Sequence, residues 1–484
     1  MLSRNHFPKI VFLLSIALLS IRIFFISGPL LVDDEAYYAM YARHMSWGYI
    51  DHGPVVAFII GIFTLLGEND FTVRLGSVFL MTSLSAILYI VGRKYFNERS
   101  ALIISLSLTA NLLFHTNAII ITPDSPLAFF SILSILFYYI AYFKDQRYIY
   151  IGGLMLGMAM LSKVSALFPA IGIAIFPILV KDKRYWLKNI HYYGSFIIAF
   201  LVFVPFIIWN IENNMAFVRY QGSHITRGGT INQFAELWLG LALLIGPLFF
   251  YSSVIRPLVN LRNWSVISIE MKYFTIVTGI PLGYFLFHSF FNRLELNWAA
   301  PVFFGGIFIL GLQEYNSMKQ KRRLYVQLFY SLFLILLITT QHYFTILPLK
   351  GKSDPTNRYF MYQNLLQDTK ELFEKNPDLK KYRIAANKFQ IPSMINFYLN
   401  PELEAICLSI GYHETLYSFL YDNKDLKGKD FIYIHNKEKF PKKLKPYFDS
   451  YELLKQTKMY RNESRVSKHS IWLVKNYSGK SQEL

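Results

Sequence analysis

The chain reads as a polytopic α-helical membrane protein, with about 11–13 transmembrane helices and a C-terminal extracytoplasmic α/β domain. Three observations predict this. Of 484 residues, 54% are hydrophobic and only 17% charged, with mean hydropathy +0.31, whereas soluble domains run at about a quarter charged. Apolar stretches of spanning length recur between short basic loops, and the composition changes sharply after Pro348.

The first apolar stretch, 10–32, follows Arg4 and Lys9 and is interrupted by Arg22. It is longer than a signal-peptide core and has no small-residue cleavage site, so it reads as an uncleaved span. Arg22 inside it predicts a structural partner rather than a catalytic role. Further stretches lie at 71–92, 100–117, 125–143, 148–162, 166–180, 192–211, 233–254, 273–290, 297–314 and 324–348. The pair 148–162 and 166–180 reads either as two short helices or as one long broken one. The segment 54–66 is too short to cross ~30 Å of hydrocarbon, which predicts an interfacial or re-entrant piece.

Basic clusters orient the spans. Arg93/Lys94/Arg99, Lys144/Arg147, Lys181/Lys183/Arg184/Lys188, Arg256/Arg262/Lys272 and Lys319/Lys321/Arg322/Arg323 all fall on one side. The positive-inside rule makes that side cytoplasmic, with a cytoplasmic N-terminus in an inner membrane. The loops 31–53, 118–124, 163–165, 212–232 and 291–297 then face out. Two domains follow: 1–348 in the membrane, with a first outer loop at 31–70, and 349–484 outside it. Residues 350–484 carry 24 Lys/Arg and 16 Asp/Glu. There, β-like runs such as "FIYIH" and "SIWLV" alternate with helical ones such as "MYQNLLQDTKELFEK".

Net charge +18 would elsewhere suggest nucleic acid. Here the excess sits in inter-helix loops and the tail, so topology and anionic lipid account for it and no nucleic-acid partner is expected. The single cysteine, Cys407, excludes an intrachain disulfide. His44, His115 and His224 stand at no metal-binding spacing. No Walker loop or dinucleotide fingerprint is present.

The outer loops gather the chemistry. "DDEAYYAMYARHMSWGYIDHGPVVAF" at 33–58 holds Asp33, Asp34, Glu35 and Asp51 beside His52. Elsewhere stand Asp124, Lys163, Arg219, Arg227, Arg293 and Glu295. Carboxylates with a few cations at a membrane surface suit a phosphate-bearing lipid substrate: cations hold phosphate, and a carboxylate accepts a proton from an attacking hydroxyl. Plainer readings stand beside this one. Asp33 and Glu35 could be hydrated or N-terminal helix charges, Asp124 an N-cap, and Lys163 a snorkelling side chain. Trp47, Tyr49 and Trp298 read as interfacial anchors.

The 33–58 segment resembles the first outer loop of the GT-C membrane glycosyltransferases. The branch it is most similar to is that of bacterial relatives of the dolichyl-phosphate-mannose protein mannosyltransferases, which includes the lipid A aminoarabinose transferases. An acidic pair before Ala-x-Tyr is matched by Asp34, Glu35, Ala36 and Tyr38, and a Tyr-x-Asp-His-Pro-Pro-like element by Tyr49, Asp51, His52 and Pro54. "TPDSPLAFF", "LSKVSAL", "WN" with "AFVRYQ", "NRLELNWAAP", "DPTNR" and "AANKFQIPSMINFYL" follow in order, so the resemblance runs along nearly the whole chain. It departs at Gly53, where the family pattern has proline. The aminoarabinose transferases also carry a lysine in this region where this chain has His52, which leaves the sugar open.

The resemblance implies an inverting transferase that takes a sugar from a polyprenyl-phosphate donor to an envelope acceptor: lipid A, another glycolipid or glycan, or protein. Asp34 inherits the catalytic position, as general base for a hydroxyl acceptor or as an orienting group for a phosphate acceptor. Glu35, Asp51 and Asp124 join it as catalytic acidic positions. His52, Tyr38, Lys163, Arg219, Arg293 and Glu295 become substrate-binding candidates, Lys163 for the donor phosphate. Asp34 and Asp124 are the residues that could hold a divalent cation, and the sequence leaves any metal requirement open. The rival reading is a transporter or flippase for a lipid-linked sugar, with the acidic residues as an ion relay. Transporter sites lie near the midplane in paired repeats, and no repeat is visible here.

Overall fold

The computed structural model describes residues 7–224, 230–422 and 424–479. It divides into two compact units. One comprises Met1–Ile26, His52–Ile59 and Arg74–Leu337; the other comprises Ser27–Asp51, Ile60–Val73 and Ile338–Leu484. The expected boundary ran after residue 348. In the structure the acidic segment 27–51 groups with the C-terminal residues.

In the first unit a helix occupies every apolar stretch read from the sequence. Among the described residues, five helices are long and apolar enough to cross a membrane, or up to eight if each of three bent pairs counts as one span. Phe12–Ile26, Val55–Thr64 and Pro301–Leu312 are shorter apolar helices. The bends have local causes. Glu98–Thr109 and Leu112–Ile119 meet at 59°, because the Asn111 side chain caps the second helix through Leu113 N at 3.0 Å and donates to Ile245 O at 3.0 Å. Ile231–Ile245 ends at Gly246, whose φ of +86° suits glycine and breaks the ladder there. The pair at 148–180 is two helices, Ile149–Ser162 and Leu167–Leu179, parted where Lys163 takes an extended backbone. Pro301–Leu312 is buried along all but its last residue, as a helix apolar on every face must be. Arg22 has the structural partners expected of it: Nη2 donates to Thr109 O at 2.9 Å and Nε to His115 Nδ1 at 3.5 Å.

The second unit is built on a five-stranded sheet. Its strands are β1 Arg383–Ala386, β2 Ala405–Cys407, β3 Phe431–His435, β4 Ser450–Arg461 and β5 Ser464–Lys475, in the order β2-β1-β3-β5-β4. β1 runs parallel to β2 and β3, while β5 is antiparallel to β3 and β4. "FIYIH" is β3, buried but for its last residue, and "SIWLV" lies within β5. The helix Gln363–Lys375 buries Leu365, Leu366, Thr369 and Phe373, an amphipathic stripe. The helix Gln390–Leu399 packs on the helix Asp33–Arg43, which gives the "AANKFQIPSMINFYL" motif its structural task.

Candidate active site

In the second unit, "DDEAYYAMYAR" forms a helix whose first turn is three carboxylates, Asp33, Asp34 and Glu35. Acidic residues favour a helix N-terminus, where unpaired N–H groups and the dipole are positive. Glu35 does this directly: it is fully buried and its Oε2 accepts from Val32 N at 3.0 Å. That is the geometry of an N-terminal helix residue. Four residues apart on this helix, Tyr37 and Tyr41 turn inward. Tyr41 stacks on Tyr49 with centroids 3.7 Å apart, and Tyr37 stacks on Phe389 at 4.1 Å. Tyr38 packs edge-on against Tyr41 and is buried. Tyr49 was expected at an interface. It is instead buried, donating from its hydroxyl to Tyr41 O at 2.9 Å, because an aromatic ring with one polar end can pin a turn internally. Asp51 accepts from the Tyr41 hydroxyl.

The partner of the acidic pair comes from far along the chain. Arg358 Nη2 lies 2.9 Å from Asp33 Oδ1 and 2.8 Å from Asp34 Oδ2. The "DPTNR" motif delivers it. Asp354 accepts from Thr356 N at 2.9 Å and from Gln341 Nε2 at 2.6 Å, and Asn357 Nδ2 donates to Gly351 O at 2.7 Å. These bonds wind Pro355–Phe360 into a 3₁₀ turn that carries the arginine. Asp33 is 15% exposed and also accepts from the Tyr362 hydroxyl at 3.2 Å, whereas Asp34 is 39% exposed. Burial, and then the Asp33 charge, raise the Asp34 pKa above the ordinary carboxylate value, against the opposing pull of Arg358. Asp34 is therefore the more open member of the pair and holds a proton more tightly than a free aspartate. Arg358 was not singled out from the sequence; its only signal was the quoted "DPTNR" motif.

The first unit holds a second constellation. Asp124 heads the helix Asp124–Phe143, and Lys163 stands in the break after Ile149–Ser162. Lys163 Nζ donates to Asp124 Oδ1 at 2.7 Å, and Asn297 Nδ2 donates to Asp124 Oδ2 at 2.8 Å. Both charges are nearly out of solvent, 5% exposed for Asp124 and 14% for Lys163. A buried charge needs partners of this kind. Asn297 was missed although it lies inside the quoted "NRLELNWAAP". His52 completes the group. Burial, then the Lys163 charge, lowers its pKa to about 3, with Asp124 opposing, so it is a neutral imidazole at physiological pH. Gly53 explains its own departure from the family proline. A Cβ at that position would stand 1.7 Å from Leu161 O, so only glycine lets the chain pass the helix end that carries Lys163.

The remaining described candidates are at the surface. Arg293 and Glu295 are exposed, as is Arg219, which donates to Asn214 O. Arg227 lies outside the described residues. Among the described residues no three His, Cys, Asp or Glu side chains are gathered to hold a metal ion. Asp34 and Asp124 each face a basic side chain instead.

The largely helical, apolar framework is that of a multi-pass membrane protein with the GT-C glycosyltransferase fold. Residues 51–209 match the family of dolichyl-phosphate-mannose-protein mannosyltransferases. The fold is similar to that of ArnT from Cupriavidus metallidurans bound to undecaprenyl phosphate, with TM-score 0.64 and 15% identity over 98% of this chain and 99% of that one. The apo state of the same protein gives TM-score 0.62 at 14% identity, covering 96% and 98%. The archaeal oligosaccharyltransferase AglB from Archaeoglobus fulgidus, in complex with an inhibitory peptide and a dolichol-phosphate, gives TM-score 0.51 at 12% identity, covering 83% of this chain and 64% of that one. No curated protein matches in sequence. The GT-C resemblance read from the first loop and the α/β tail both stand.

Proposed function

We propose that the protein is an inverting glycosyltransferase of the inner membrane, moving a sugar from a polyprenyl-phosphate donor to an envelope acceptor on the outer face. The observation that carries this reading is the Asp34 carboxylate. It is the open member of a paired acidic site, it heads a helix held by aromatic stacking, and its proton affinity is raised. A general base works best with a pKa drawn toward the working pH and a rigid support. With a hydroxyl acceptor, Asp34 takes the proton as oxygen attacks the anomeric carbon and the lipid phosphate leaves. With a phosphate acceptor, already ionised, Asp34 orients it. Arg358 holds the carboxylate in place in either case. Glu35 positions the helix rather than touching substrate.

Lys163 serves the donor phosphate in this reading. An ammonium has three donors, and Asp124 occupies one. A preorganised cation in a site shielded from water stabilises the charge that grows on the leaving phosphate.

The test is sugar transfer from a polyprenyl-phosphate-linked donor by the purified full chain in lipid. Asp34→Asn should lower turnover by about 10²–10⁴-fold with Tm unchanged. Wild-type turnover in that variant would sink the assignment.

A further inference from the structure

An opening lined by none of the candidate site residues lies in the membrane unit. It is a groove of about 1700 Å³ between the helices Glu98–Thr109 and Met318–Phe344, larger than the ~300–1,000 Å³ of ordinary small-molecule sites. Both helices enter it by their N-terminal turns. Those turns are joined, because Arg99 Nη2 donates to Tyr315 O at 2.8 Å and its guanidinium lies 5.2 Å over the Tyr315 ring. Arg99, Lys319, Lys321 and Arg322 line this end. No ion pair joins Lys319, Lys321 or Arg322 to a carboxylate among the described residues. Glu98, the acid among the lining residues, lies 3.5 Å from the Tyr89 hydroxyl.

Further along both helices the lining turns apolar, with Leu102, Leu106 and Leu328 joined by Phe249. Gln327 closes the inner end, donating to Ile245 O at 2.8 Å and accepting from Leu248 N at 3.0 Å. From Lys321 to Ser331 the helix rises about 15 Å. That is one leaflet of the ~30 Å hydrocarbon core. A basic mouth over an apolar slot one leaflet deep matches a lipid with an anionic phosphate and chains of leaflet length, not a long polyprenyl chain. The positive-inside rule puts both basic turns on the cytoplasmic side, where basic pockets between transmembrane helices hold anionic headgroups.

We propose that this groove is a binding site for an anionic phospholipid of the cytoplasmic leaflet, its phosphate on Lys319, Lys321 and Arg322 and its acyl chains along Leu106 and Leu328. It is separate from the proposed transferase chemistry and does not depend on it.

Native mass spectrometry of the full chain, with phosphatidylglycerol, phosphatidylcholine or undecaprenyl phosphate added, tests this. Phosphatidylglycerol should be retained well above phosphatidylcholine. Removing each basic side chain should weaken retention about fivefold, so Lys319→Gln/Lys321→Gln/Arg322→Gln should bring it to the phosphatidylcholine level. The same number of charges removed at Lys181, Arg184 and Lys188 should change nothing. Leu106→Trp, which fills the slot and keeps every charge, should also displace the lipid. Several results would overturn the proposal: equal retention of the two phospholipids, an unaffected triple variant, an equal loss in the 181–188 control, an unaffected Leu106→Trp, or undecaprenyl phosphate outcompeting phosphatidylglycerol.

Discussion

The two acidic sites solve the same problem in opposite ways. Asp124 is sealed, with each oxygen given a donor and almost no exposure. Asp34 is paired but open, sharing one guanidinium nitrogen with Asp33. A sealed pair carries a large penalty when broken, because its surviving charge is left without water. An open pair is worth little to stability and leaves its carboxylate able to exchange partners. The first arrangement suits a support and a fixed charge, the second a group that must change partner during a reaction.

The largest effect that separates them should come from Lys163. The sequence alone suggests that Lys163→Ala weakens donor use without touching the fold. The sealed geometry predicts instead a loss of about 3–5 kcal/mol, because Asp124 is stranded. Adding Asp124→Asn to Lys163→Ala should restore part of that stability, since neighbours in one network are not additive. Thermal unfolding in lipid or detergent measures both, and a Lys163→Ala protein as stable as wild type would erase the contrast.

Next in size is Gly53→Ala, which pushes a methyl group into the Leu161 carbonyl. Overpacking of this kind typically amounts to about 1–3 kcal/mol. The affected backbone is that of His52 and of the helix end before Lys163, so donor KM should rise with the loss of stability. No change in either quantity would mean that the chain passes this point more loosely than described.

His52 sharpens the comparison through pH. Its folded pKa of about 3 lies below the ordinary 6.5, so between those values the unfolded chain binds a proton that the native protein refuses. Stability should therefore fall as pH drops from about 6.5 toward 3. His52→Gln should flatten that slope. An unchanged slope in the variant would show that other groups carry it.

The smallest stability effect should be at Arg358. Arg358→Gln removes an exposed pairing, so Tm should move by under about 1 kcal/mol equivalent. Its signature is elsewhere. Burial and Asp33 already raise the Asp34 pKa, and losing the arginine removes the opposing pull, so the acid limb of the turnover profile should shift to higher pH. Arg358→Lys should return it most of the way, and a profile identical to wild type in Arg358→Gln would detach the arginine from the base.

Much was legible from the sequence because it is written locally. Apolar runs set where helices form, basic loops bias their orientation, alternation marked β3, and the charged turn at 33–35 marked a helix N-terminus; each depends on neighbours within a few residues. The first loop and Lys163 could also be picked out, since a charge beside an apolar run stands out at once. What pairs with those charges was decided only by the tertiary structure. Arg358 is 324 residues from Asp34, and Asn297 is 173 from Asp124. Such contacts leave no period in the chain. The same holds for Tyr49, which by sequence is an interfacial ring and in the fold stacks on Tyr41, and for Gly53, whose reason is the Leu161 carbonyl. It holds too for the grouping of 27–51 with the C-terminal residues, which no composition change announces. Burial and partner choice are properties of the packed chain, and a single sequence states the groups that need partners without stating which ones they find.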